Sequence, residues 1–259
     1  MDLNLKDKVI IVTGGSKGIG YGISTSLAKE GAVPFLIGRK EPDLQKAVQN
    51  IWAKGGKAAY AIAELTEPDQ CKQAVEQAVE TFGTIDGLVN NAGVNDGVGL
   101  ENGNYDDFVR SLHRNVVHYY WMAHLVLPYL KKSKGAIVNI GSKTSVTGQG
   151  NTSGYAAANG GRNALTREWA LELLPYSIRV NAIIVAECYT PLYDRWIKTF
   201  DNPEEKLNAI TSKIPLENRM TSAEEIADTA AFLLSSKSSH TTGQLLFVDG
   251  GYTHLDRAL

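Results

Sequence analysis

The run Val9-Ile10-Ile11-Val12-Thr13-Gly14-Gly15-Ser16-Lys17-Gly18-Ile19-Gly20 decides the fold. Val9 to Val12 form a short apolar run that leads straight into a glycine-rich turn. After the turn, Ile23, Leu27 and Ala28 recur on one face of a helix. The order is strand, glycine turn, helix. Gly14 permits the tight turn. Gly18 lets backbone approach a pyrophosphate, and Gly20 lets helix and strand pack closely. The helix start offers free N–H groups and a positive dipole end to phosphate. A plain βα turn also uses glycine, so the strand-turn-helix context carries the dinucleotide reading. Gly14, Ser16, Lys17, Gly18, Ile19 and Gly20 are the residues expected to hold that phosphate.

The same alternation continues outward. Residues 33–37 read as the second strand and end at Gly38-Arg39-Lys40. An acidic residue there would hydrogen-bond an adenosine ribose, and none is present. Arg39 and Lys17 either reach a 2′-phosphate together or are solvated surface cations; NADP(H) is the expected cofactor and NAD(H) the alternative. Residues 44–53 read as a helix, 57–62 as a strand ending near Glu64, and 70–82 as a helix. Residues 87–89 form a strand running into Asn90-Asn91-Ala92-Gly93. Asn91 can brace a neighbouring strand or line a cofactor groove, and small Ala92 and Gly93 leave room for a ribose. A turn after a strand accounts for them equally well.

Residues 105–130 read as one long helix containing Asn115 and His118. Asn has low helix propensity; Asn115 either kinks the helix and binds water or caps a neighbouring group. His118, followed by Tyr119 and Tyr120, reads as a packed core residue. Residues 136–141 are an apolar run suited to a buried parallel strand. Ser142 follows at its carboxyl end, and Tyr155 opens a helix over 155–174. In open α/β sheets ligands bind at the carboxyl ends of the strands. A serine and a tyrosine hydroxyl meeting there can polarise a carbonyl and pass it a proton. One helical turn after Tyr155 stands Asn159, where that chemistry is best served by a cation. Arg162 shares the face but lies about 10 Å further along the axis, and Lys143 is expected to point away from Ser142. Neither reads as a substitute.

Residues 178–184 form a strand, 223–234 a helix and 245–248 the last strand, closed by Asp249-Gly250-Gly251. The pattern predicts an α/β, Rossmann-type, doubly wound parallel sheet of about seven strands with helices on both faces. It fits one domain over residues 1–259. A helical excursion at about 190–215 carries Tyr193, Trp196, Ile197 and Phe200 on one face; it serves as a lid over the substrate site or as a dimer face. The net charge of −2 makes nucleic acid a poor partner. Cys71 and Cys188 have no metal-ligand spacing and read as buried thiols. No signal-peptide layout or membrane-length apolar run is visible, so the expectation is a cytoplasmic protein without a metal.

The ordered set of these motifs resembles the short-chain dehydrogenase/reductase family. It comprises residues 13–20, Asn90-Asn91-Ala92-Gly93, Asn115, Ser142, Tyr155, Val180-Asn181-Ala182-Ile183 and Asp249-Gly250-Gly251. The resemblance implies hydride transfer between a nicotinamide and a carbinol. Ser142 holds the substrate oxygen, Tyr155 is the acid/base, and Asn115 supports a water relay. It also implies pairing of subunits into a dimer or tetramer. Narrower segments, including Val94-Asn95-Asp96-Gly97, Thr147-Gly148-Gln149-Gly150-Asn151, Tyr189-Thr190-Pro191-Leu192-Tyr193 and the tail 252–257, are similar to bacterial sugar dehydrogenases of the L-fucose dehydrogenase type. Independently, Asn95, Asp96, Gln149, Asn151, Glu187 and Tyr189 form a polar lining suited to a polyhydroxylated substrate; an acyl or steroid pocket calls for apolar residues.

Two positions depart from the family. Asn159 replaces the lysine that lowers the tyrosine pKa and holds the nicotinamide ribose, and impaired turnover is expected from its neutrality. Val185-Ala186 replaces the usual Pro-Gly beside the nicotinamide, with Thr190 left to bind the carboxamide. The leading function is an NAD(P)-dependent sugar dehydrogenase. The alternatives are a cofactor-binding homologue without turnover and a 3-oxoacyl carrier-protein reductase.

Overall fold

The computed structural model describes residues 2–255. Seven strands form one parallel sheet: β1 (Val9–Thr13), β2 (Val33–Gly38), β3 (Ala59–Ile62), β4 (Gly87–Asn90), β5 (Ala136–Ser142), β6 (Arg179–Val185) and β7 (Leu245–Val248), in the order β3-β2-β1-β4-β5-β6-β7. The strands are nearly continuous apolar runs because helices cover both faces. Alternation along β1 sends Ile11 into one core with Phe35, Leu88 and Ile137, and Ile10 and Val12 into the other with Val89 and Val138. The first layer holds α3 (Pro68–Phe82), α5 (His118–Ser133) and α6 (Ser153–Glu172). The second holds α1 (Gly18–Lys29), α2 (Glu41–Ala53) and α9 (Ala223–Leu234). Ser222 and Glu225 start α9 with a reciprocal capping box.

Chain order reverses between β1 and β4, and such a switch point opens a crevice at the carboxyl ends of the strands. Two predicted elements differ from what is observed. The helix expected over 105–130 is α4 (Tyr105–Leu112), a π-helical turn (His113–Val117) and α5. Asn115, at the centre of that turn, is engaged outside the regular ladder: Nδ2 donates to the Ser111 carbonyl at 3.0 Å, and Oδ1 accepts from the Val94 N–H at 2.8 Å. Its role is therefore a structural clamp as well as a break in the helix. The excursion is two short helices, α7 (Pro191–Ile197) and α8 (Pro203–Thr211). Each begins with a side-chain cap, Thr190 or Asn202, followed by proline.

Cys71 and Cys188 are buried free thiols. Burial pushes them up to about 11 and about 12. Among the described residues, no helix is long and apolar enough to cross a membrane.

Candidate active site

A groove of about 900 Å³ crosses the carboxyl ends of the strands. A smaller cleft of about 390 Å³ sits at their amino ends, lined by Lys8, Asp86 and Arg179 among others. The larger one lies where the α/β rule puts ligands. Fourteen residues singled out from the sequence line it: Gly14, Ser16, Lys17, Gly18, Ile19, Gly20, Arg39, Glu64, Asn91, Ala92, Gly93, Ser142, Tyr155 and Thr190.

The phosphate end is built by the turn after β1. The Gly14 N–H donates to the Ile37 carbonyl at 2.8 Å. A Cβ on Gly20 would lie 2.3 Å from the Gly14 carbonyl oxygen, so helix and turn can approach this closely only with glycine there. Lys17 at the N-cap of α1 supplies no side-chain acceptor. The first N–H groups of the helix are left for a ligand, which fits a dinucleotide phosphate. Both cations expected near an adenosine ribose have carboxylate partners: Lys17 Nζ lies 2.6 Å from Asp43 Oδ2, and Arg39 Nη1 lies 3.1 Å from Glu64 Oε2. Asn91 braces β1 from β4, its Nδ2 donating to the Thr13 carbonyl at 2.8 Å. The Thr13 hydroxyl accepts from the N–H groups of Asn91 and Ala92 at 2.9 and 3.1 Å.

At the other end, Ser142 closes β5 and Tyr155 lies in the first turn of α6. Both face the groove. Ser142 Oγ accepts from the Thr144 N–H at 3.3 Å. Asn159 is fully buried behind them. Its Nδ2 donates to the Tyr155 carbonyl at 2.8 Å, and its Oδ1 accepts from Arg162 Nη1 at 3.0 Å.

The model of the family described as enoyl-(acyl carrier protein) reductase matches residues 14–253. A 3-oxoacyl-[acyl-carrier-protein] reductase of Thermotoga maritima is 33% identical over 96% of this chain and 99% of its own. Among solved structures, Cj0485 dehydrogenase is 46% identical with a TM-score of 0.95, covering 100% of this chain and 99% of the other. The Thermoplasma acidophilum aldohexose dehydrogenase is 29% identical with a TM-score of 0.90, covering 100% and 99%. The chain belongs to the short-chain dehydrogenase/reductase family.

Within this short-chain dehydrogenase/reductase, Arg162 is where the structure departs most from sequence spacing. Its side chain does not continue along the helix axis. It turns back toward the N-terminus of α6, as long helical side chains do. The guanidinium carbon lies 6.0 Å from the centre of the Tyr155 ring and 4.2 Å from that of Tyr119. It is 3% exposed and borders the groove. His118, read from sequence as core, is both buried and groove-lining. Burial first, and then the Arg162 charge, lower it to about 4, so its imidazole is neutral. Tyr193, one of the residues expected on the face of the helical excursion, lines the groove, as do Leu65, Arg114 and Arg195, which no sequence pattern singled out.

None of the polar set expected around a substrate is among the residues that line the groove. Asn95 and Gln149 are exposed, and Asn95 Oδ1 accepts from the Gly97 N–H at 3.2 Å. Asn151 has φ of 52° in an exposed loop. Glu187 is paired with Lys143, both largely buried, and the Lys143 ammonium stands 4.1 Å over the Tyr252 ring. Lys143 is thus neutralised. The Tyr189 hydroxyl donates to Asp194 at 2.9 Å. Burial, and next the Glu187 charge, raise the Tyr193 hydroxyl far above the ordinary tyrosine value.

Proposed function

We propose that this enzyme moves a hydride between a nicotinamide cofactor and a carbinol of a polyhydroxylated, L-fucose-like sugar. The single observation that carries the reading is one groove bounded by the uncapped start of α1 at one end and by Ser142 and Tyr155 at the other. When bound, the nicotinamide supplies hydride acceptance or donation. The chain's own residues do the rest. Ser142 holds the substrate oxygen, and Tyr155 takes the hydroxyl proton in oxidation and returns it in reduction. Asn115 fixes the 93–94 segment, which would hold the nicotinamide ribose, through its bond to Val94. Thr190 lies beside Gly18, where a Cβ on that glycine would meet its Cγ2 at 3.2 Å, and it is offered to the carboxamide end. Asn95, Gln149, Asn151, Glu187 and Tyr189 are offered to sugar hydroxyls.

NADP(H) is the proposed preference, resting on Lys17 and Arg39 at the adenosine end; a 2′-phosphate there competes with Asp43 and Glu64 for them. The enzyme works in the cytoplasm as a homo-oligomer, paired through α6 and the segment after it, where Leu171 and Leu174 are 68% and 53% exposed. Apolar positions in the C-terminal tail, residues 252–259, are offered as a second contact; the tail beyond Leu255 lies outside the described residues. A 3-oxoacyl reductase is the second reading, favoured by the Thermotoga maritima relative. Absorbance of the reduced nicotinamide, followed with L-fucose, aldohexoses and an acetoacetyl thioester and with each cofactor, separates them. Turnover of the thioester alone would overturn the sugar reading. Tight cofactor binding without turnover on any of these would favour a non-catalytic homologue.

A further inference from the structure

Resting on the reading of Tyr155 as the acid/base, we propose that Arg162 is the positive charge of this active site, with Asn159 as the tether that holds it beside Tyr155. Position 159 is neutral, yet the site is not without a cation. The guanidinium of Arg162 reaches back over one turn of α6 to the spot that a charge at 159 would serve.

Four observations support this. First, the hydrogen-bond acceptors of Arg162 are all neutral: the Asn115 carbonyl at 2.6 Å from Nε, the Ile140 carbonyl at 3.1 Å and Asn159 Oδ1 at 3.0 Å from Nη1, and Asn115 Oδ1 at 3.5 Å from Nη2. Among the described residues, no carboxylate pairs with it. A buried charge without a counter-charge is costly, and active sites are where such charges are kept. Second, the negative charge that can arise beside it is a Tyr155 phenolate, whose ring centre is 6.0 Å away. Third, the surroundings are shaped for the guanidinium. A Cβ at Gly93 would lie 2.8 Å from Nη2 and 2.9 Å from Asn115 Oδ1, and the π-helical turn presents the Asn115 carbonyl to Nε. Fourth, Asn159 spends its amide on the Tyr155 main-chain carbonyl and on Arg162 Nη1, so it ties the guanidinium to the first turn of α6, which carries Tyr155.

Among the other ionisable groups on the elements packed here, Arg114 brings a second guanidinium to the groove, but it is exposed, whereas Arg162 is buried and bound to Asn159 beside the Tyr155 ring. Tyr119 and His118 on α5 are neutral, the former held protonated by burial. Asp96 accepts from Ser111. Lys143 and Glu187 cancel each other. Arg114 lies on the π turn, and its carbonyl is engaged by His118. The impaired turnover expected from Asn159 alone does not follow.

The test uses Arg162→Lys, Arg162→Gln, Asn159→Lys with Arg162→Gln, and Tyr155→Phe, with NADP⁺ and L-fucose. Turnover is followed from neutral to alkaline pH, and cofactor affinity by nicotinamide fluorescence. The phenolate absorbance of each protein, taken as a difference from its Tyr155→Phe counterpart, gives a readout independent of turnover. Arg162→Gln should move the phenolate midpoint and the alkaline limb of turnover upward by on the order of one pH unit, with about tenfold less turnover at neutral pH. Arg162→Lys should stay near wild type, and the double variant, with its charge returned to 159, should recover most of the loss. Cofactor affinity should change less than about threefold throughout, since 1.4 kcal/mol is a tenfold effect. A merely structural Arg162 would leave the midpoint unmoved in Arg162→Gln, or move it equally in the lysine and glutamine variants; either result overturns the proposal. If Arg162→Gln does not fold by circular dichroism, Arg162→Lys and the double variant decide: wild-type midpoints in both uphold the proposal, and a raised midpoint in both overturns it. Full turnover in Tyr155→Phe would instead defeat the acid/base reading itself.

Discussion

Acidification should destabilise this enzyme in part through His118. It is 2% exposed and packed 5.0 Å from the Tyr119 ring. One ring nitrogen faces the Arg114 carbonyl at 3.0 Å. Burial, and next the Arg162 charge, lower it to about 4, against about 6.5 in an unfolded chain. The sign follows from proton binding. Between these two values the unfolded chain binds a proton that the folded one does not, so stability falls as pH drops. The stabilisation is fully present above about pH 6.5 and is lost progressively toward about pH 4. At about pH 4.5 the loss should be roughly 2.5 kcal/mol relative to neutral pH. Urea unfolding of the wild type and of His118→Gln at both pH values measures it. Carboxylates elsewhere contribute to both proteins, so the difference between them isolates His118. An identical acid loss in the two proteins would refute the reasoning. Arg162→Gln supplies a second check: without that charge the imidazole titrates higher and the acid loss shrinks.

Gly93→Ala should force apart the contact between Arg162 and Asn115, costing about 1–3 kcal/mol as overpacking does; an unchanged melting temperature would show that the segment yields freely. Arg39→Asp should reverse the cofactor preference from NADP to NAD, because it replaces a phosphate partner by a ribose acceptor; equal dissociation constants for both cofactors in the unmodified protein would remove the basis for that preference. Light scattering at micromolar concentration should report a multiple of the 28.1 kDa chain, and a monomer would contradict pairing through α6.

Much of this was legible in the residues. Residues 9–28 read as strand, turn and helix because a short apolar run, a glycine cluster and a helical stripe follow one another without a break. The last helix and last strand are observed over the predicted residues, 223–234 and 245–248. Groove residues on the strand ends were legible for the same reason: topology fixes where a strand end points. What was not legible depends on side-chain direction. The π turn at His113–Val117 is a rare single-turn feature that no motif in the sequence marks. Lys17 and Arg39 could be placed near the adenosine end, but their carboxylate partners lie 26 and 25 residues away in sequence. The Arg162 guanidinium lies nearer Tyr155 than the axial spacing suggests, because distance along the helix axis counts Cα positions. A long side chain leaning toward the N-terminus recovers most of that distance.

The chemistry of guanidinium, as distinct from ammonium, sharpens what the arrangement implies. A guanidinium is in general always protonated, whereas an ammonium can shift when buried. The donors of Arg162 are largely committed to Asn115, Ile140 and Asn159. It therefore acts on Tyr155 through its field and has little left to offer a ribose hydroxyl. Asn159, bound to Tyr155 and Arg162, is committed in the same way. If Arg162 is the cation of this site, the two tasks that one lysine would combine are separated: charge stays on α6, and ribose binding would fall to the Asn91–Gly93 segment, braced by Thr13 and followed by Val94 bound to Asn115. Substitutions at 159 and 162 should then change turnover with little effect on cofactor affinity, while Thr13→Val, which removes the hydroxyl beneath Asn91 and Ala92, should do the reverse. Cofactor titration and steady-state kinetics on the same proteins measure both. Parallel losses of affinity and turnover in all three variants would show that the tasks are not separate.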